Sequence, residues 1–114
     1  MKLGDICKTV EGTVVCGAGR LDREVVSAFA SDLMSDVLML KTDDFLLITG
    51  LANIQAIRTA EMADAACLLL CRNKQASKEM LQLAEENDMV VIETPYSMFK
   101  SAGLLYAAGL APVY

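Results

Sequence analysis

Three apolar runs, Phe45–Ile48, Ala66–Cys71 and Met89–Ile92, carry no polar alternation, and each is followed by a polar turn and a stretch with apolar residues at helical spacing. Such runs suit strands covered on both faces, the habit of parallel sheets. The pattern upstream is less regular. Leu3, Ile6 and Val10 predict a short amphipathic helix ended by Gly12, and Thr13–Cys16 reads as a β-branched strand broken by Gly17-Ala18-Gly19. Glu24–Ala30 reads as a second strand. Ser31 is then placed as an N-cap, with Asp32 in the first helical turn and Leu33, Met34, Val37 and Leu38 on the apolar face.

The central strand, Phe45–Thr49, leaves through Gly50, and Asn53 caps a helix that buries Ile54, Ile57 and Ala60 and turns Gln55, Arg58 and Glu61 outward. Ser77 caps a helix with Met80, Leu81 and Ala84 inward, and Asn87 is its left-handed stop. The last strand continues to Thr94, kept extended by Pro95. Ser97 caps a final helix with Met98, Phe99, Ala102, Leu105 and Tyr106 inward, closed by Gly109 and Pro112. This order predicts an α/β fold with three layers: a mostly parallel sheet of about five strands, joined by right-handed crossovers, with helices on both faces.

Composition narrows the function. With 114 residues and no linker or composition shift, residues 1–114 read as one domain. The apolar fraction of 54% exceeds the usual range of about 45–50%. The excess is assigned to the sheet interior and a subunit interface, since no apolar run approaches the roughly 18 residues of a membrane span. A net charge of −5, with ten scattered Lys and Arg residues, argues against nucleic acid. The N-terminus has no apolar signal-peptide core, and Cys7, Cys16, Cys67 and Cys71 read as reduced, packed thiols, so a cytoplasmic location is expected.

Histidine is absent, which removes the commonest general base and a favoured zinc ligand, so neither a catalytic set, a metal site nor a cofactor is expected. Cys67 and Cys71, four apart on one strand, would stand about 13 Å apart, too far to bridge or to share a metal. Two glycines after Cys16 lack the third glycine and the helix of a dinucleotide loop. A cysteine enzyme has Cys16, beside a glycine at a strand end, as its only reasonable nucleophile, and a thiolate there needs an activator other than histidine.

The remaining chemistry sits at strand-to-helix turns, where open parallel sheets gather ligands. Thr49, Gly50, Asn53, Thr94 and Ser97 supply donors without fixed charge, and Arg58, one turn into its helix, reaches either an anion at that turn or Glu61. Asp32 and Asp36, four apart, form an acidic helix face, either an ordinary solvated surface or a place for a cation or basic group.

With the elements placed, Leu21–Val25, Ser31–Val37, Leu47-Ile48-Thr49-Gly50 with the helix from Asn53, Ala63–Ala66, Val91–Pro95, Phe99 and Leu105–Leu110 stand out for their order and spacing. Through them nearly the whole chain resembles a free-standing DRTGG domain, the small α/β module similar to the N-terminal domain of HPr kinase/phosphorylase. The resemblance implies a regulatory module rather than an enzyme. Such modules occur alone or fused to cystathionine-synthase-type nucleotide-sensing domains, phosphate acetyltransferases and a regulated pyrophosphatase, where they help build dimers. The chain departs from the pattern at Leu51 and Ala52, where charged residues are common, and at Cys71-Arg72-Asn73, where Thr-Gly-Gly is common. No phosphate-cradling Gly-x-x-x-x-Gly-Lys loop is present, so kinase activity does not carry over.

The expectation is a non-catalytic regulatory or adaptor domain, homodimeric, sensing a small anionic ligand such as a nucleotide. The alternative is a protein-interaction subunit without a small ligand, which docks on a larger metabolic enzyme through Leu104–Tyr114 and its methionine-bearing helices. Neither involves nucleic acid or a membrane.

Overall fold

A computed structural model describes residues 1–114. Six strands form one sheet in the order β1-β5-β4-β3-β2-β6: β1 (Thr13–Cys16), β2 (Ser27–Ala30), β3 (Leu46–Thr49), β4 (Cys67–Leu70), β5 (Val90–Glu93) and β6 (Ala111–Pro112). All neighbours are parallel except β1, which runs antiparallel to β5. The continuous apolar runs behave as expected: every position of β3 and β4 is buried, and three of the four in β5. The sixth strand is not in the sequence reading. It is two residues long, contains Pro112 and carries no periodicity, and its parallel pairing with β2 is what defines it.

Five helices cover the sheet: α1 (Leu3–Thr9), α2 (Met34–Leu38), α3 (Ile54–Met62), α4 (Lys78–Glu86) and α5 (Met98–Ala107). Leu3, Ile6 and Val10 of the α1 segment and Leu105 of α5 pack on Ile48, Leu69 and Ile92. On the opposite face, Val37 of α2, Ile57 of α3 and Met80 of α4 pack on Leu47, Leu68 and Val91. The alternation within each strand thus serves two cores, giving three layers. Successive crossovers through α2, α3 and α4 step along one face, whereas α5 returns across the other from β5 to β6. The loops leaving β4 and β5 therefore diverge to opposite faces, and a crevice opens where they part.

Helix starts match the sequence at three of four places. Asn53, Ser77 and Ser97 accept the N–H groups of Ala56, Met80 and Lys100 at 3.0, 3.2 and 3.0 Å, contacts worth about 1 kcal/mol each. Ser31 is the exception. Its hydroxyl accepts the Leu33 N–H at 3.0 Å in a local turn, and α2 begins only at Met34, with Leu33 as an N-cap that makes no side-chain bond. Asp32 therefore lies before the helix, and the expected Asp32–Asp36 acidic face does not form.

Helix stops differ more. Asp88 (φ 54°), not Asn87, is the left-handed residue after α4, and Glu11, Asp44 and Asp64 take the same conformation before β1, β3 and β4. Only Gly109 (φ 106°) is a glycine at such a stop. Gly12 serves another purpose: a Cβ there would lie 2.6 Å from Ile92 Cγ2, so its absence lets the α1–β1 turn sit on β5. The inward face of α5 is also narrower than its pattern implies. Ser101 and Leu105 are buried, while Phe99 and Tyr106 are 89% and 69% exposed. Leu33 and Leu38 likewise face solvent, because five residues of α2 turn only Met34 and Val37 inward.

Candidate functional site at the C-terminal edge of the sheet

The ends of β2, β3, β4 and β5 place four polar segments along one edge. β3 ends at Thr49, whose side chain is fully buried and whose hydroxyl donates to Asp32 Oδ1 at 2.9 Å. The Gly50 N–H donates to the same oxygen at 2.7 Å, and the Thr49 hydroxyl oxygen accepts from the Leu51 N–H at 3.1 Å. The Gly50 N–H, assisted by Thr49 and the charge of Arg72, holds the Asp32 carboxyl below the ordinary carboxylate value in spite of partial desolvation.

Arg72 follows β4 after the buried Cys71. Its backbone is left-handed (φ 62°), as is that of Asn73 (φ 61°). For asparagine this is routine, but for arginine it costs about 1–2 kcal/mol. Two backbone bonds hold the turn: the Arg72 N–H donates to Tyr96 O at 2.8 Å and the Asn73 N–H to Thr94 O at 3.0 Å. The guanidinium is laid back over Gly50, with Nη2 3.4 Å from the Gly50 carbonyl and 3.8 Å from Asp32 Oδ2. A Cβ on Gly50 would lie 2.4 Å from that nitrogen, so any side chain there displaces the guanidinium, and the glycine serves close approach rather than a left-handed backbone. Both charged side chains are about half exposed, and the pair itself contributes less than about 1 kcal/mol.

Beside Arg72, where the β4 and β5 loops part, a polar cleft of about 300 Å³ is lined by Thr13, Asn73, Lys74, Gln75, Glu93 and Thr94, with Pro95 at its rim. Thr94 is buried and committed internally, donating to Val10 O at 2.7 Å and accepting from the Tyr96 N–H at 3.1 Å. Glu93 accepts the Ala76 N–H at 2.7 Å. Lys74 and Gln75 are exposed and make no side-chain hydrogen bond within the chain.

The structure thus brings Thr49, Gly50 and Asp32 together, with Thr94 one loop away, and gives both threonines structural work. Asn53 and Ser97 are exposed caps of α3 and α5. Arg58 is exposed on α3 and Asp36 on α2, and neither takes part in any of the four ion pairs, so the Arg58–Glu61 pairing is not formed. Arg72, Asn73 and Lys74 are absent from the sequence-derived set. Their signal was present: the rule that singled out Gly50 after β3 applies equally to the first polar residues after β4.

Burial raises the pKa of all four thiols, and the contact of Cys16 Sγ with Glu85 at 3.4 Å raises that of Cys16 further. Arg20 lowers it only in part, so the one candidate nucleophile is held protonated. No helix is long and apolar enough to cross a membrane.

Comparison with known proteins agrees with this architecture. No curated protein gives a significant match. Among solved structures the chain is similar to the CBS and DRTGG domains of the regulatory region of Clostridium perfringens pyrophosphatase, crystallised in complex with the activator diadenosine tetraphosphate. The TM-score is 0.73 at 19% identity, over 98% of this chain and 48% of that one, so the present chain spans about half of that structure. At that identity the likeness shows a shared fold. The DRTGG domain family matches residues 5–108, nearly the whole length, and the chain belongs to that family.

Proposed function

We propose that this domain is a non-catalytic regulatory module of the cytoplasm, working as a homodimer and sensing a small anionic ligand, with a nucleotide as the preferred class. The observation that carries the reading is Arg72: a half-exposed guanidinium set over Gly50 between two strand ends, beside a polar cleft, at the edge where open parallel sheets bind ligands. Its planar fork suits two phosphate oxygens, and Lys74 adds a mobile second charge. Asn73, Gln75 and Thr13 offer neutral polar groups to the rest of the ligand. Of the strand-end residues, Thr94 lines the cleft and Gly50 lies under the guanidinium with Thr49 buried beside it, while Asn53 and Ser97 cap the helices that follow. The complex of the similar pyrophosphatase region with diadenosine tetraphosphate supports a nucleotide as the class to try first.

Calorimetric titration with ATP, ADP, diadenosine tetraphosphate and inorganic phosphate tests the reading. Saturable binding that weakens at least about tenfold in Arg72→Ala is expected, since a charge-assisted hydrogen bond contributes about 1.5–3 kcal/mol. No binding at millimolar ligand would refute the sensing role.

A second reading, a protein-interaction subunit of a larger metabolic enzyme, is favoured by α5. Phe99, Tyr106 and Tyr114 are 89%, 69% and 88% exposed, and the latter two border an apolar groove of about 220 Å³ between α5 and the β2–β6 edge. The same surface suits the homodimer. Sedimentation of the wild type and of Phe99→Asp tests the dimer: a concentration-dependent dimer lost in the variant supports self-association, and a monomer in both, with no enzyme retained in a pull-down, counts against both readings.

A further inference from the structure

We propose that Asp32 is a built-in competitor of the anionic ligand: a tethered carboxylate that occupies the donors at the end of β3 and has to withdraw before a phosphate group can take them. The inference rests on the anion-sensing reading and adds the element that regulates it.

Asp32 is bound as an anionic ligand would be. One oxygen accepts the Gly50 N–H at 2.7 Å and the Thr49 hydroxyl at 2.9 Å, and the other faces the Arg72 guanidinium at 3.8 Å. Two converging donors and an arginine make a charge-assisted anion cradle, and here the anion belongs to the chain itself. Asp32 and a phosphate cannot share this place. Both are acceptors without a proton to donate at neutral pH, and the Gly50 N–H is a single donor.

The tether is built to let go. Asp32 belongs to no regular element, since β2 ends at Ala30 and α2 starts at Met34, so its departure breaks no strand or helix ladder. Its side chain is 49% exposed, which leaves a path into solvent. The contact with Arg72 is long, so the guanidinium is available to a better-fitting partner. A dianionic phosphate, with more charge and three oxygens, gains more from Arg72 than the single carboxylate does. The consequence is a threshold: a weakly charged anion fails to displace Asp32, whereas a polyphosphate does.

The test compares ATP binding to the wild type, Asp32→Asn, Asp32→Ala, Asp32→Asn/Arg72→Ala and the exposed control Asp36→Asn. Both single Asp32 variants should bind at least about tenfold more tightly than the wild type, within the usual span of coupling between competing groups. The gain should vanish in the double variant, and Asp36→Asn should change affinity less than about twofold, because its charge is screened. In the wild type, ATP should shift the Gly50 amide and the Asp32 carboxyl carbon in NMR spectra, a readout that stands if the Asp32 variants fold poorly. ATP binding that leaves those two signals and the Asp32→Asn affinity unchanged, or an equal gain from Asp36→Asn, would overturn the competitor role and leave the sensing reading intact. If neither wild type nor Asp32 variants bind at millimolar ATP, both fall. Binding by the variants alone would overturn the switch, since a carboxylate that millimolar ATP cannot displace leaves the wild type no sensing role.

Discussion

At the C-terminal edge of the sheet the chain leaves β3 through Gly50 and β4 through Arg72, whereas at the N-terminal edge it enters β3, β4 and β5 through Asp44, Asp64 and Asp88, all three left-handed. The second edge holds the larger cavity, about 530 Å³ lined by Asp43, Asp44, Glu61, Asp64 and Asp88 with Arg23, against about 300 Å³ for the polar cleft beside Arg72. Size does not choose between them. The N-termini of α2 to α5, with their partial positive charge, point to the first edge and their C-termini to the second, while α1, which leads into the antiparallel β1, runs the other way. An anion is therefore drawn to the smaller site and repelled from the larger. The acids at the N-terminal edge follow from backbone shape: aspartate tolerates the left-handed turn better than most side chains, even though its charge opposes the helix end. At the other edge the order is inverted, since Arg72 accepts an unfavourable backbone to put its charge over Gly50.

That contrast can be broken at its strongest point by Arg72→Gly. Affinity for the nucleotide should fall about 10- to 100-fold, while stability in urea rises by about 0.5–1 kcal/mol as left-handed strain is relieved against the greater unfolded-chain freedom of glycine. Loss of binding without any gain in stability would mean that the turn is not strained. Gly50→Ala should do the converse. The added methyl meets the flexible end of Arg72, so urea midpoints should show under about 1 kcal/mol of loss, yet binding should weaken about tenfold as the guanidinium is pushed aside.

Acid titration addresses the Asp32 side of the same edge. Because its native pKa is lowered, Asp32 adds stability that is complete above about pH 4 and is lost as pH falls through the native value. Asp32→Asn should flatten that limb of the pH–stability curve by less than about 1 kcal/mol, given its exposure. At the opposite edge, Asp64→Asn keeps the left-handed preference and removes a charge from the C-terminal end of α3. It should stabilise by about 0.5 kcal/mol, more at low salt, and leave nucleotide affinity unchanged.

The strands were legible because β3, β4 and β5 are buried on both sides and show it as unbroken apolar runs. The caps at Asn53, Ser77 and Ser97 were legible for a similarly local reason. What was not legible depends on distant partners. Asp32 looks like a first-turn helix acid until the end of β3, brought alongside by parallel pairing, offers Gly50 N–H and Thr49 as better donors. Phe99 and Tyr106 fit an inward stripe by period alone, but α5 packs on β3 and α1 through Ser101 and Leu105, with Met98 and Ala102 partly buried beside them, and the two aromatics face solvent. Thr49 and Thr94 were placed correctly at strand ends, yet their hydroxyls are claimed by Asp32 and Val10, which no spacing reveals. Arg72 was within reach of the rule applied to Gly50, and its left-handed backbone was not.

The most direct measurement is an NMR map of amide shifts during titration with ATP. Shifts concentrated at Asp32, Gly50, Arg72, Asn73 and Lys74, with Asp44, Asp64 and Asp88 still, are the expected result. Shifts centred on the acidic N-terminal edge or on α5, with the Gly50 and Arg72 amides unmoved, would contradict it.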